Sequence, residues 1–113
     1  MDLFNTLQQL TKELDISIKS LRKTGQDYAQ AYTDYRIALA QELLRLKDKG
    51  TPVTIAYDIA RGKAEIAKLK FDEISKEAIY KANQEAIQSI KLKMRLTESQ
   101  LQREWGNVNN QVS

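Results

Sequence analysis

The sequence predicts an all-α fold: a long antiparallel helical hairpin that dimerises into a helical bundle. Three observations predict it. Apolar residues recur every seven positions in both halves of the chain, as in the seam of a long amphipathic helix or coiled coil. The 113 residues include one Pro and four Gly, too few turn residues for a many-stranded sandwich or barrel. The clearest break, Lys49-Gly50-Thr51-Pro52-Val53-Thr54, is short and lies near the middle. Short connections place successive helices antiparallel and adjacent.

The first helix is expected over about residues 3–49. Leu7, Leu14, Leu21, Tyr28 and Tyr35 form one seven-spaced row, and Leu3/Phe4, Leu10, Ile18, Tyr32, Leu39 and Leu46 form a second, drifting row. Asn5 with Gln8 has the spacing of a capping box, and Asp2 is the alternative cap. Gly25 falls on the second row where a large residue is missing. It marks either a kink in one helix or a short break between two, because glycine costs about 1 kcal/mol in a helix interior. At residues 50–54, Gly50 suits the residue after a helix, Thr51 an N-cap and Pro52 the first helical position. Arg45, Lys47 and Lys49 complement the dipole of the helix they end.

A short helix is expected over about residues 53–61, with Gly62 as a C-cap or a tolerated interior glycine. A long one follows over about 63–105, about 65 Å at 1.5 Å per residue. Its row is Ile59, Ile66, Tyr80, Ile87, Met94 and Leu101, interrupted by Glu73; Leu69, Ile90, Ile74 and Ala78 widen it, and Trp105 closes it. Residues 1–105 thus read as one hairpin domain and 106–113 as a polar, disordered tail. A two-helix hairpin leaves Ile16, Ile37, Leu44, Phe71, Ile79, Leu92 and Leu96 off the seam. They could be covered by folding back at Gly25 into three helices or by pairing two hairpins. The homodimer is the favoured expectation, since the second long helix needs cover along its length.

The absence of Cys and His removes disulfides, thiolate nucleophiles, the commonest general base and the commonest metal ligand. Asp72, Glu73 and Glu77 form an acidic group, but the di-iron bundle pattern also needs Glu-x-x-His. Ser20-Leu21-Arg22-Lys23 fits a Ser-x-x-Lys spacing, yet Lys23-Thr24-Gly25 overlaps it and cannot be the separate strand such sites require. No metal, cofactor or catalytic activity is expected. Eighteen basic against fifteen acidic residues give a net charge of +3, spread evenly over both halves. The N-terminus has no signal-peptide pattern and no segment approaches the roughly 20 apolar residues of a membrane span, so a cytoplasmic protein is expected.

Two sets of residues are candidates for contact with a partner or nucleic acid. Tyr28, Tyr32 and Tyr35, at i, i+4 and i+7, share a helix face and form either an aromatic platform or bundle packing. Their continuation of the leucine row favours packing. Lys91, Lys93 and Arg95 form one basic cluster, and Lys19, Arg22 and Lys23 another, either able to touch phosphates or simply solvated. No aromatic residue interleaves with them, which favours the solvated reading.

Gly50-Thr51-Pro52-Val53-Thr54, Asp58-Ile59-Ala60-Arg61-Gly62, Tyr80 and Arg103-Glu104-Trp105 resemble segments of small helical proteins encoded in early regions of phages and prophages of Gram-positive bacteria. The resemblance spans roughly residues 35–105. It implies a phage accessory or host-takeover role, and the chain is expected to act as a non-enzymatic protein–protein interaction module on a replication, recombination or host-defence protein in the host cytoplasm. Direct binding of nucleic acid is the alternative, and an exported or virion hairpin a further one. The turn lacks the Trp of exported hairpin proteins named for a Trp-x-Gly turn.

Overall fold

The computed structural model describes residues 2–112, and the side chains of residues 2–107. Three helices make up the fold: α1 (Leu3–Asp48), α2 (Val53–Gly62) and α3 (Ala64–Val112). No strand occurs among the described residues, and α1 and α3 pack in a hairpin-like arrangement as expected of the all-α class. The contacts group into two compact units, one of residues 23–81 and one joining the residues up to Arg22 with those from Ala82 on.

Helix α1 is continuous through Gly25, so neither the break nor the fold-back there occurs. Its cap is Asp2, whose side chain accepts the Phe4 N–H at 2.9 Å, satisfying one of the unpaired donors of the first turn. Asn5, the other candidate, lies inside the helix. At the far end Gly50 has φ +80°. The Gly50 N–H donates to the Lys47 carbonyl at 2.9 Å, and the Thr51 N–H to the Leu46 carbonyl at 3.0 Å. This paired closure of the last turn needs a left-handed residue, which glycine supplies without a Cβ clash.

The expected cap at Thr51 moves by one: Pro52 is the N-cap of α2, and no side chain bonds the first turn. Gly62 ends α2 without a positive φ, so it is not a left-handed cap. The chain instead turns at Lys63, which is extended at ψ 131°. The Lys63 carbonyl accepts the Ala67 N–H at 2.8 Å, opening α3. Helix α3 then runs to Val112, past Trp105 and through the segment expected to be a disordered tail. Residues 106–112 contain no proline, and a single glycine does not stop a helix; Ser113 lies outside the described residues.

In the unit of residues 23–81, Tyr35, Leu39, Leu46, Ala56, Ala60 and Ile66 form a common core, with Ala38, Leu43 and Leu69 packed against it. Ala60 has no exposed surface. Helix α2 turns its small residues Ala56 and Ala60 inward and leaves Val53, Ile55, Tyr57 and Ile59 exposed. Ile59 therefore does not continue the row of α3. In the other unit, Leu10 and Ile87 are the buried apolar residues. Asn83 donates to the Ser17 carbonyl at 3.0 Å, tying α3 to α1.

The first row of α1 and the row of α3 from Ile66 to Leu101 face inward as expected, with Tyr35, Ile66 and Ile87 buried and the others partly covered. The second row of α1 reaches the interior at Leu3, Leu10, Leu39 and Leu46 as expected, but not at Ile18 and Tyr32. Between Leu10 and Leu39 the inward positions are Ser17, Thr24, Ala31 and Ala38, while Ile18 and Tyr32 are exposed. Small residues at these positions let the helices approach closely. Gly25 shows the reason directly: a Cβ there would lie 3.1 Å from the Tyr80 ring. Ile74, Ala78 and Trp105 also lie outside the seam, Trp105 at 70% exposure.

Candidate functional site

Two buried carboxylates organise the unit of residues 23–81. Glu42, on the seam of α1, accepts hydrogen bonds from Arg45 Nε at 3.2 and 3.0 Å and from Lys63 Nζ at 3.1 Å. The Arg45 and Lys63 hydrogen bonds hold its carboxyl down to about 2, against the opposing effect of burial. Glu42 thereby fixes the chain where it turns from α2 into α3. Glu73 is the residue that interrupts the apolar row of α3. It is buried, and Lys70 holds it at 3.0 Å. Lys76 pairs with Asp72 at 3.9 Å.

The three candidate tyrosines have separate surroundings. Tyr28 is half-buried, with its ring centroid 6.0 Å from that of Tyr80. Its hydroxyl bonds Glu77, which raises its pKa by favouring the neutral phenol. Glu77 in turn is lowered, chiefly by the hydrogen bond from Lys81. Tyr35 is buried in the core with Lys70 Nζ 4.8 Å from its ring centroid. Tyr32 is exposed and accepts a hydrogen bond from Arg36 Nη1 at 3.2 Å. Two of the three are thus packing residues, and no continuous stacking platform forms.

The basic cluster also divides. Lys91, Lys93 and Arg95 are all exposed. Successive residues of a helix are about 100° apart, so Lys91 and Arg95 share a face and Lys93 lies away from them. Lys93 lines a shallow groove with Asp2, Asn5, Thr6, Gln9, Leu10 and Glu13.

One concavity was not expected from the sequence. A cleft of about 340 Å³ lies among the three helices of the unit of residues 23–81. Tyr32, Tyr35, Arg36, Leu39, Ala40 and Leu43 line it from α1, Tyr57 and Arg61 from α2, and Lys70 and Glu73 from α3. Arg36 lies over Tyr32 at 5.8 Å and Arg61 over Tyr57 at 5.1 Å. The sequence carries a signal for both pairs, since each is a tyrosine followed four residues later by an arginine, one helical turn apart. What the spacing does not show is that the two pairs line one cleft. Among the described residues no group of His, Cys, Asp or Glu has the arrangement of a metal site, and no helix is long and apolar enough to cross a membrane.

No protein-family model, curated protein or solved structure matches this chain.

Proposed function

We propose that the chain is a non-enzymatic interaction module that works by binding another protein through the apolar faces of its helices, a second copy of itself included. One observation carries the reading. Among the described residues sixteen large hydrophobic side chains are exposed, against nine buried hydrophobic residues of which three are alanines. Phe71 and Val53 are 74% and 84% exposed, and each exposed apolar face forgoes about 25 cal/mol per Å² that a partner would recover. The resemblance to phage early-region proteins supplies the partner class to test, a replication, recombination or host-defence protein of the host cytoplasm.

The test is mass and capture with matched variants. Light scattering at micromolar concentration is expected to give twice the 13.0 kDa chain mass. Replacing Phe71 and Ile74 by Ser is expected to weaken self-association or capture of a host protein while leaving helicity unchanged. A single-chain mass together with no captured protein removes the reading. Binding to single-stranded DNA that falls steeply with salt, and that Lys91→Gln with Arg95→Gln abolishes, would favour the nucleic-acid alternative instead.

A further inference from the structure

The cleft among α1, α2 and α3 has a composition that helix packing does not require. Two of its cations, Arg36 and Arg61, meet no carboxylate among the described residues. This contrasts with Arg45, whose guanidinium is taken up by Glu42. Each guanidinium has five N–H donors. Arg36 uses one on the Tyr32 hydroxyl, and Arg61 rests against the Tyr57 ring. Stacking on a ring limits the freedom of the guanidinium and leaves its planar edge of donors available, so little further ordering is needed to bind an anion.

The third cation, Lys70, is already balanced by Glu73, the only carboxylate in the lining. The cleft therefore presents two uncompensated guanidinium charges. Leu39, Ala40 and Leu43 supply apolar wall beside them, and the rings of Tyr32 and Tyr57 stand at the guanidinium positions. A volume of about 340 Å³ is at the small end of ligand pockets. It suits one ring system with one anionic group.

We infer that this cleft binds a phosphomonoester carried on a planar ring-bearing group of the size of a single nucleotide, with Arg36 and Arg61 on the phosphate. Phosphate matches paired guanidiniums because it can accept two parallel N–H bonds from each and carries close to two negative charges. The ring-bearing portion lies along the tyrosines and the apolar wall, where stacking tolerates any flat base. The inference does not depend on the chain binding a protein, and neither Phe71 nor Ile74 lines the cleft.

Calorimetry or amide chemical-shift titration of the full chain tests it with four probes: a nucleoside monophosphate, the matching nucleoside, inorganic phosphate and a single-stranded oligonucleotide. The monophosphate is expected to bind at least about tenfold more tightly than either the nucleoside or inorganic phosphate, with shifts confined to residues lining the cleft. Arg36→Gln and Arg61→Gln are each expected to weaken it by about tenfold or more, while Lys91→Gln, outside the cleft, leaves it unchanged. Both arginines are exposed, and an unchanged circular dichroism spectrum confirms that the variants fold. An oligonucleotide that competes for the same shifts identifies a nucleic-acid phosphate as a source of the same chemistry. No binding, equal affinity for monophosphate and inorganic phosphate, or binding indifferent to both arginine substitutions overturns the inference.

Discussion

In the unit of residues 23–81 three helices surround one core, whereas in the other unit two helices face each other alone. Seven of the nine buried hydrophobic residues, and both buried carboxylates, belong to the three-helix unit. The two-helix unit buries Leu10 and Ile87, and leaves Leu3, Leu7, Leu14, Leu21, Ile90 and Met94 partly covered. The residue types do not explain the contrast, since the two-helix seam is the richer in leucine. The ten residues of α2 explain it. A pair of helices can cover only one stripe on each, and a third helix closes the groove beside that stripe. Leu39 and Leu46 sit just off the two-helix seam and are buried because α2 lies over them.

The largest expected effect tests this contrast directly. Leu46→Ala removes a side chain 5% exposed in the closed core and should cost about 3 kcal/mol in denaturant unfolding. Leu14→Ala removes the same atoms from the half-open seam and should cost about 1 kcal/mol, because part of that surface is already wet and the site relaxes more readily. Hydrogen exchange should follow the same order, with the amides of α1 before Arg22 exchanging faster than those between Tyr35 and Leu46. Equal costs at the two leucines would mean that α2 adds no closure.

How much of this was legible in the sequence follows from the same contrast. Large apolar residues at seven-residue spacing placed Leu7 to Tyr35 and Ile66 to Leu101 on the seam correctly. They misled where helices approach closely, since there the inward residue is small. Ile18 and Tyr32 were expected inside, but the inward positions carry Ser17 and Ala31. In α2 the pattern is inverted, with Ala56 and Ala60 inside and four larger apolar residues outside. A hydropathy rule has no means of preferring alanine to isoleucine for a core position. Tyr32 and Tyr35, marked as candidate contacts, both line the cleft, and Arg36 is one turn from Tyr32, but Tyr57, Arg61 and Lys70 join them only through packing between helices distant in sequence.

The pH dependence should separate the units next. Glu42 has a folded-state pKa of about 2 against an ordinary 4.5. A lowered pKa means that the ionised form is favoured by folding. Its stabilisation is complete above about pH 4.5 and is lost as pH falls toward 2. Glu42→Gln should flatten the pH dependence of stability across that window, and the flattening should show in probes of residues 23–81. An acid limb of unchanged steepness in the variant would show that other carboxylates, among them Glu77, govern it.

The glycines give the smallest effects and the sharpest comparison, because the same substitution should have three different outcomes. Gly50→Ala places a Cβ on a backbone at φ +80° and should destabilise by about 1 kcal/mol, although the space around it is open. Gly106→Ala lies in α3 of the two-helix unit with nothing within 4 Å, and should stabilise that helix by somewhat under 1 kcal/mol. Gly25→Ala has both effects at once. Its helix propensity gains about 1 kcal/mol, while the new methyl meets the Tyr80 ring at 3.1 Å and must push it by a few tenths of an ångström. Tyr80 is only half-buried and can yield, so the net change should be near zero and accompanied by a shifted Tyr80 ring resonance. A gain as large as that of Gly106→Ala would mean that the ring does not rest on Gly25. A loss above about 2 kcal/mol would mean that Tyr80 is held too firmly by its contact with Tyr28 to move.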